Sequence, residues 1–188
     1  MKRTAPDPRH LLGIYLNDHL AGAGAGVALL RRTAHAHRGT DAGPRLAALT
    51  EEVAEDRDSL REIMTTLDLA VNNLRVLLGV AAAQTGRLKP NGRVFSRSPL
   101  SDVLELEAIR VGVEGKKELW RTLHALARSD PRLDAEVIGR LLRRAERQAD
   151  TLETLRLTAV DRALRSDPQH ASAASRRGRR RTAQAKWA

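Results

Sequence analysis

The chain has 188 residues, enough for one domain with a sizeable core, and its 41% hydrophobic content is ordinary for a globular protein. Aromatic residues make up only 2%, which disfavours a single-stranded nucleic-acid platform, and the lack of cysteine excludes disulfides and cysteine nucleophiles. The net charge is +10, and much of the excess falls after Arg165, where Asp167 is the one acidic residue.

The 3.6-residue periodicity predicts a first helix from about Pro8 to Arg38 and a second helix ending near Asp68. The turn "RGTDAGP" separates them, with Thr40 or Asp41 expected as the N-cap of the second helix. The expected core residues of these two helices are Leu12, Leu16, Leu20, Ala23, Val27 and Leu30, then Leu46, Leu49, Val53, Asp56, Leu60, Ile63 and Leu67.

A short helix is predicted within residues 72–85, followed by the basic loop "GRLKPNGRVFSRSP". Ser98 and Pro99 are typical of a helix start and predict a helix to about Ser129. Asp130 and Pro131 give the same signal for a last helix that reaches about Leu164. The expected core residues here are Leu100, Leu104, Ala108, Val111, Leu119, Leu123 and Leu126, then Val137, Leu141, Ala145, Gln148, Leu152, Leu155 and Ala159.

No segment alternates polar and apolar residues over a useful length, so we expect an all-α fold. Two short connections and one long one predict an antiparallel four-helix bundle over residues 1–165, with a long crossover containing a short helix and a disordered tail over 166–188. This layout resembles the ferritin-like superfamily. The phrases "YLNDHLAG" and "GVEGKKELW" are similar to uncharacterised actinobacterial proteins of this length. The resemblance implies a fold and no activity.

The ferritin-like resemblance raises the hypothesis of a metal site. Di-iron proteins of that kind use Glu-x-x-His motifs, and this chain contains none. A divergent iron or manganese site would draw on Asp56, His19 and Glu107, of which Asp56 lies on an apolar stripe. The alternative is a buried Asp56 paired with an Arg, a Gln or a hydroxyl group on a neighbouring helix, because an inward carboxylate must be paired or neutral.

Glycines interrupt two of the predicted helices. Gly22 and Gly26 lie in the first, and Gly112 and Gly115 repeat the feature in the fourth. A helical glycine costs about 0.5–1 kcal/mol relative to alanine, so a compensating contact is needed. The pattern lacks the third glycine of a dinucleotide fingerprint, and no strand precedes it. We expect close contact between helices; a small cavity for a ligand or a partner helix is the alternative.

Asn17, Asp18 and His19 interrupt the first apolar run, which argues against a signal peptide or a membrane span and favours a cytoplasmic location. The tail predicts non-specific contact with nucleic acid or another anionic partner through Arg176, Arg177, Arg179, Arg180, Arg181 and Lys186. We therefore expect a non-enzymatic interaction protein that forms a homodimer. The alternative is a divergent metal-carboxylate protein, an oxidoreductase or a metal store, and a third hypothesis is a nucleic-acid-associated protein.

Overall fold

The computed structural model describes residues 7–72 and 98–165, which form four helices and contain no strand. Helix α1 spans Pro8–Ala36, α2 spans Gly43–Thr66, α3 spans Pro99–Leu126 and α4 spans Ala135–Leu164. The all-α prediction is confirmed for these residues. None of the four helices is long and apolar enough to cross a membrane. The predicted crossover helix and the arginine-rich tail lie outside the described residues.

Side-chain caps begin two helices where the sequence suggests a start. Ser98 Oγ accepts a hydrogen bond from the Leu100 amide at 3.3 Å, and Pro99 occupies the first turn of α3, as predicted. The Asp7 carboxylate accepts from the Arg9 amide at 3.1 Å at the start of α1. Each cap satisfies one of the amide groups that a helix leaves without an internal partner.

The expected starts of α2 and α4 are wrong. The Thr40 hydroxyl donates to the His37 carbonyl oxygen at 3.0 Å, so it serves the end of α1, and α2 begins after Ala42 without a side-chain cap. The Asp130 carboxylate instead accepts from the Arg132 amide at 3.1 Å. Asp134 caps α4, accepting from the amides of the next turn at 2.8 and 3.0 Å. In both connections the residue expected as the N-cap, Thr40 or Asp130, bonds instead to a backbone group of its own turn.

Two apolar clusters form the core, and a polar layer separates them. One cluster contains Leu30 and Leu46 near the α1–α2 turn, and the other contains Leu16 and Trp120 towards the opposite ends of these helices. The polar layer consists of Asp56 from α2, Lys116 from α3 and Gln148 from α4, each flanked along its helix by residues of both clusters. At the same level, α1 contributes only the alanines and glycines of residues 21–26.

The first half of helix α3 turns a different face to the core from the one predicted, whereas Leu119 and Leu123 in the second half are buried as predicted. The expected stripe of Leu100, Leu104 and Val111 is exposed, with Val111 73% accessible. The residues that are buried instead are Val103, Leu106, Ile109 and Val113. Both stripes fit a helical period, because α3 is apolar over more than one face, and periodicity alone could not choose between them.

We expect far-UV circular dichroism of the full chain to give a helix content above one half. The four helices contain 29, 24, 28 and 30 residues, which is well over half of 188. This exceeds the roughly one third that is typical of globular proteins. A helix content near one third would contradict the fold.

Candidate functional site

Asp56 is buried and carries cationic partners on both carboxylate oxygens. Its side chain is 1% exposed. The Lys116 ammonium donates to Oδ2, and Arg144 Nε donates to Oδ1 at 2.7 Å. These bonds supply the compensation that a buried carboxylate needs. The prediction that Asp56 points inward, with an arginine from a neighbouring helix as partner, is confirmed.

Gln148 completes the layer by joining Lys116 to α2. Its Oε1 accepts from Lys116 at 2.5 Å, while its Nε2 donates to Glu52 at 2.9 Å and to Asp56 at 3.2 Å. Arg144 also donates to Glu55 at 2.7 Å, and this glutamate is 65% exposed. Together with Arg144, the layer therefore contains two cations and one buried carboxylate, with Glu52 and Glu55 at its edge.

The layer changes the proton affinities of its bases in opposite directions. Burial lowers the pKa of Lys116 below its ordinary value, and the neighbouring Asp56 offsets this only in part. Burial also acts against the charged form of Arg144, but Asp56 and Glu55 together raise the pKa of that guanidinium. Burial thus disfavours the charged form of Lys116, and the carboxylate of Asp56 favours that form.

A cavity of about 470 Å³ lies beside this layer, between α1 and α3, with α2 behind it. Its wall is mostly apolar and includes Leu30, Val53 and Leu60. Asp56 and Lys116 form the polar part of its inner wall, next to Trp120, and Asp18, His19 and Arg57 also line the cavity. Volume and lining both fall in the range typical of small-molecule sites, which are largely apolar with a few placed polar groups.

Hydrogen bonds join α1 and α3 on either side of the cavity. At one side Tyr15 Oη and Thr122 Oγ1 are 3.3 Å apart. At the other, the Thr33 hydroxyl donates to Glu105 at 2.9 Å, and Arg32 donates to the same carboxylate at 3.1 Å. The two helices are therefore fixed at both ends of the gap between them.

Four glycines lie between these two fixed points and face each other across the gap. Gly22 lies two turns along α1 from Tyr15, and Gly115 lies two turns back along α3 from Thr122. Gly26 lies two turns before Thr33 on α1, and Gly112 lies two turns after Glu105 on α3. All four line the cavity. We call this set of facing residues the glycine window.

The expectation that these glycines bring helices into close contact is wrong. A Cβ atom added at Gly22, Gly26, Gly112 or Gly115 would meet no atom of the described residues within 4 Å, apart from its own helix. Because α1 and α3 are joined by hydrogen bonds outside the window, the lack of side chains at the four glycines leaves open space between the helices. The cavity that sequence analysis kept as the alternative is what the structure contains.

The three residues of the metal hypothesis do not converge. Asp56 and His19 both line the cavity, but both Asp56 oxygens already accept from cations. Glu107 lies apart on the exposed surface, with Arg156 at 3.6 Å. Within residues 7–72 and 98–165, no group of three or more Asp, Glu or His side chains could hold a metal ion.

His19 lies half-buried in the cavity wall, with its ring edge-to-face against Tyr15 at a centroid distance of 4.5 Å. Burial lowers the pKa of His19 below 6.5, and Asp18 offsets this only in part. The unfolded chain therefore takes up a proton as the pH falls through about 6.5, whereas the folded chain does so only at lower pH. Stability present above this pH is lost below it.

We expect the free energy of unfolding to fall between pH 7.5 and pH 5, and to fall less in His19→Gln than in the wild type. Urea denaturation at both pH values measures the two differences. The comparison with the variant separates His19 from the carboxylates that titrate nearby. Equal losses in the two proteins would show that His19 does not contribute.

Sequence reasoning identified Asp56 and Gln148 but missed Lys116 and Arg144. Both cations lie among other charged residues, in "EGKKE" and "LLRRAE", where the sequence does not show which of two adjacent cations reaches Asp56. The spacing offers a weak signal, since Lys116 lies four residues before the buried Trp120 and therefore on the same face of α3. No family model matches the chain, and it matches no curated protein and no solved structure.

Proposed function

We propose that the protein is a non-enzymatic, cytoplasmic helical bundle that acts by binding, and that its binding site is the cavity behind the glycine window. The observation that carries this proposal is the window itself. Four helical glycines face one another at matched positions, and a Cβ at any of them would meet open space. Glycine in a helix costs roughly 0.5–1 kcal/mol relative to alanine, and no contact with residues 7–72 or 98–165 explains that cost here.

The chemistry of the wall supports ligand binding better than catalysis. The cavity walls are mainly apolar, and the charged groups at the inner wall already bond to one another. Catalysis at such a site would need an acid, base or nucleophile held together with a second group that orients it. The imidazole of His19 also lines the cavity, so the preference for binding rests on the mainly apolar wall. Asp56 accepts from three side chains, which leaves it suited to holding Lys116 in place.

Isothermal titration calorimetry with decanol, a neutral ten-carbon alcohol, tests the proposal. We expect saturable binding to the full chain, and loss of binding in the double variant Gly22→Leu, Gly26→Leu, whose side chains occupy the cavity. Val111→Leu, on the exposed face of α3, is a matched control that adds apolar bulk outside the window. No heat of binding with the wild type, or equal binding by the window variant, would contradict the proposal.

We further propose the antiparallel, ferritin-like arrangement with one long crossover. Contacts support an antiparallel orientation for each neighbouring pair of helices. Arg9, at the start of α1, donates to the Asp68 carbonyl oxygen just beyond α2 at 3.0 Å. Glu105, early in α3, meets Thr33 near the end of α1. Arg110 of α3 and Glu153 of α4 are 3.4 Å apart, whereas Lys116 and Gln148 bond further along α3 and further back along α4.

The exposed stripe of Leu100, Leu104 and Val111 on α3 supports the expectation of a homodimer, because contiguous apolar surface on a soluble domain marks an interaction site. We expect light scattering coupled to size exclusion to give twice the chain mass, and Val111→Glu to give one chain mass. A monomeric wild type at all concentrations would contradict the dimer.

The arginine-rich tail lies outside the described residues, and its role remains a proposal based on charge. Its six cations would contact nucleic acid or another anionic surface without sequence preference. Truncation after Asp167 should then abolish duplex DNA binding at about 50 mM salt.

A further inference from the structure

We propose that the ligand of this cavity is a medium-chain aliphatic carboxylate, whose carboxylate accepts a hydrogen bond from Lys116 while its chain fills the space behind the glycine window. This inference rests on the proposed binding function and names the chemical class of the ligand. The occupant is a small molecule, since the cavity opens between α1 and α3, is backed by α2 and ends at a buried charged layer.

Donors without acceptors mark the place for the head group. A lysine ammonium has three N–H donors. Within the described residues, Lys116 uses one for Asp56 and one for Gln148, and it lines the cavity. One turn further along α3, Trp120 is fully buried in the same wall, and its indole N–H has no acceptor in the described part of the chain. A buried donor left unsatisfied costs free energy, which an acceptor on a ligand would recover.

The head group would meet the cationic Lys116, and a charge-assisted hydrogen bond favours an anionic acceptor. Lys116 and Arg144 contribute two positive charges to the buried layer, against the single buried carboxylate of Asp56. The remaining acids at the layer are Glu52, which is half-buried, and Glu55, which is largely exposed. Asp18 and Arg57, of opposite charge, also line the cavity. A carboxylate beside Lys116 would also favour the charged ammonium, whose pKa burial lowers.

The volume sets the size of the chain. If each non-hydrogen atom takes about the 30 Å³ share of a water molecule, 470 Å³ holds at most about 16 such atoms. Decanoate, with about a dozen, fits within that limit. Its apolar tail would lie against Leu30, Val53 and Leu60, at the level where α1 contributes only alanines and glycines.

Titration calorimetry of the full chain with decanoate, decanol and decyltrimethylammonium tests the inference, because the three probes share a tail and differ in head-group charge. We expect decanoate to bind at least about tenfold more tightly than decanol, and the cation to bind weakest. Lys116→Met should reduce this preference to near unity while leaving decanol binding in place. Lys117→Met is the matched control, since Lys117 bonds to Glu114 at 2.8 Å and does not line the cavity.

The outcomes separate this inference from the proposed function. Equal affinities for decanoate and decanol in the wild type, or tighter binding of the cation, would overturn the carboxylate assignment and leave a neutral or cationic ligand. An unchanged preference in Lys116→Met would overturn the role of Lys116. If Lys116→Met does not fold, the wild-type comparison of the three probes still decides. Failure of decanol to bind the wild type would remove the proposed function itself.

Discussion

Replacing Asp56 by alanine lowers the free energy of unfolding by about 3–5 kcal/mol, because the change leaves two cations in a buried layer without their carboxylate. Lys116 and Arg144 both bond to Asp56, and Lys116 is the more deeply buried of the two, with 11% of its side chain exposed. Its pKa is already lowered by burial, so losing the nearby anion makes its charged form still less favourable. Urea denaturation at pH 7.5 measures the change.

Glu55→Ala is the matched control for this prediction. Glu55 accepts from the same Arg144 at 2.7 Å, yet it is 65% exposed. An exposed ion pair contributes about 0–1 kcal/mol, so the control should unfold almost as the wild type does. If Asp56→Ala loses no more stability than Glu55→Ala, the polar layer is not the structural centre that its burial indicates.

Replacing all four window glycines by alanine raises the free energy of unfolding by about 2–4 kcal/mol. Each glycine costs roughly 0.5–1 kcal/mol relative to alanine in a helix interior, mainly through the entropy of the unfolded chain. The added Cβ atoms meet nothing within 4 Å in the part of the chain that the structure describes, so no steric penalty from these residues opposes this gain. The sequence alone predicted the opposite for larger side chains, since close helix packing would have made them destabilising.

Gly43→Ala serves as the control, because the same substitution is expected to destabilise there. A Cβ at Gly43 would lie 2.5 Å from the His37 carbonyl oxygen, a backbone atom that cannot move aside cheaply. The two results together separate the general benefit of alanine from the space available at each site. A quadruple variant less stable than the wild type would show that the window is closed in solution.

The fold was largely predictable because three of the four helices carry a single apolar stripe. In α2, every predicted core position from Leu46 to Leu67 is buried except Ile63, which is half-buried, and Asp56 follows the same period. In α3 two apolar stripes compete, and the choice between them depends on where α1 and α4 lie. That information is tertiary, so no pattern within α3 could supply it.

The site was predictable only in its parts. Asp56 and the glycines were found because each breaks a local rule, a charge on an apolar stripe and glycine inside a helix. The spatial relation between Asp56 and the glycines could not be predicted, since it depends on the positions at which α1 and α3 are joined. The Tyr15–Thr122 and Thr33–Glu105 contacts place the glycines opposite one another, and no sequence pattern identifies either contact.

The most direct test of the binding cavity is a nitrogen-15 NMR titration of the full chain with decanol, followed at the glycine amides. The account predicts that the amide signals of Gly22, Gly26, Gly112 and Gly115 shift together and saturate. Gly43 and Gly139, which do not line the cavity, should remain in place. Saturating shifts at the control glycines alone, or no shift at the four window glycines, would contradict a binding site behind the window.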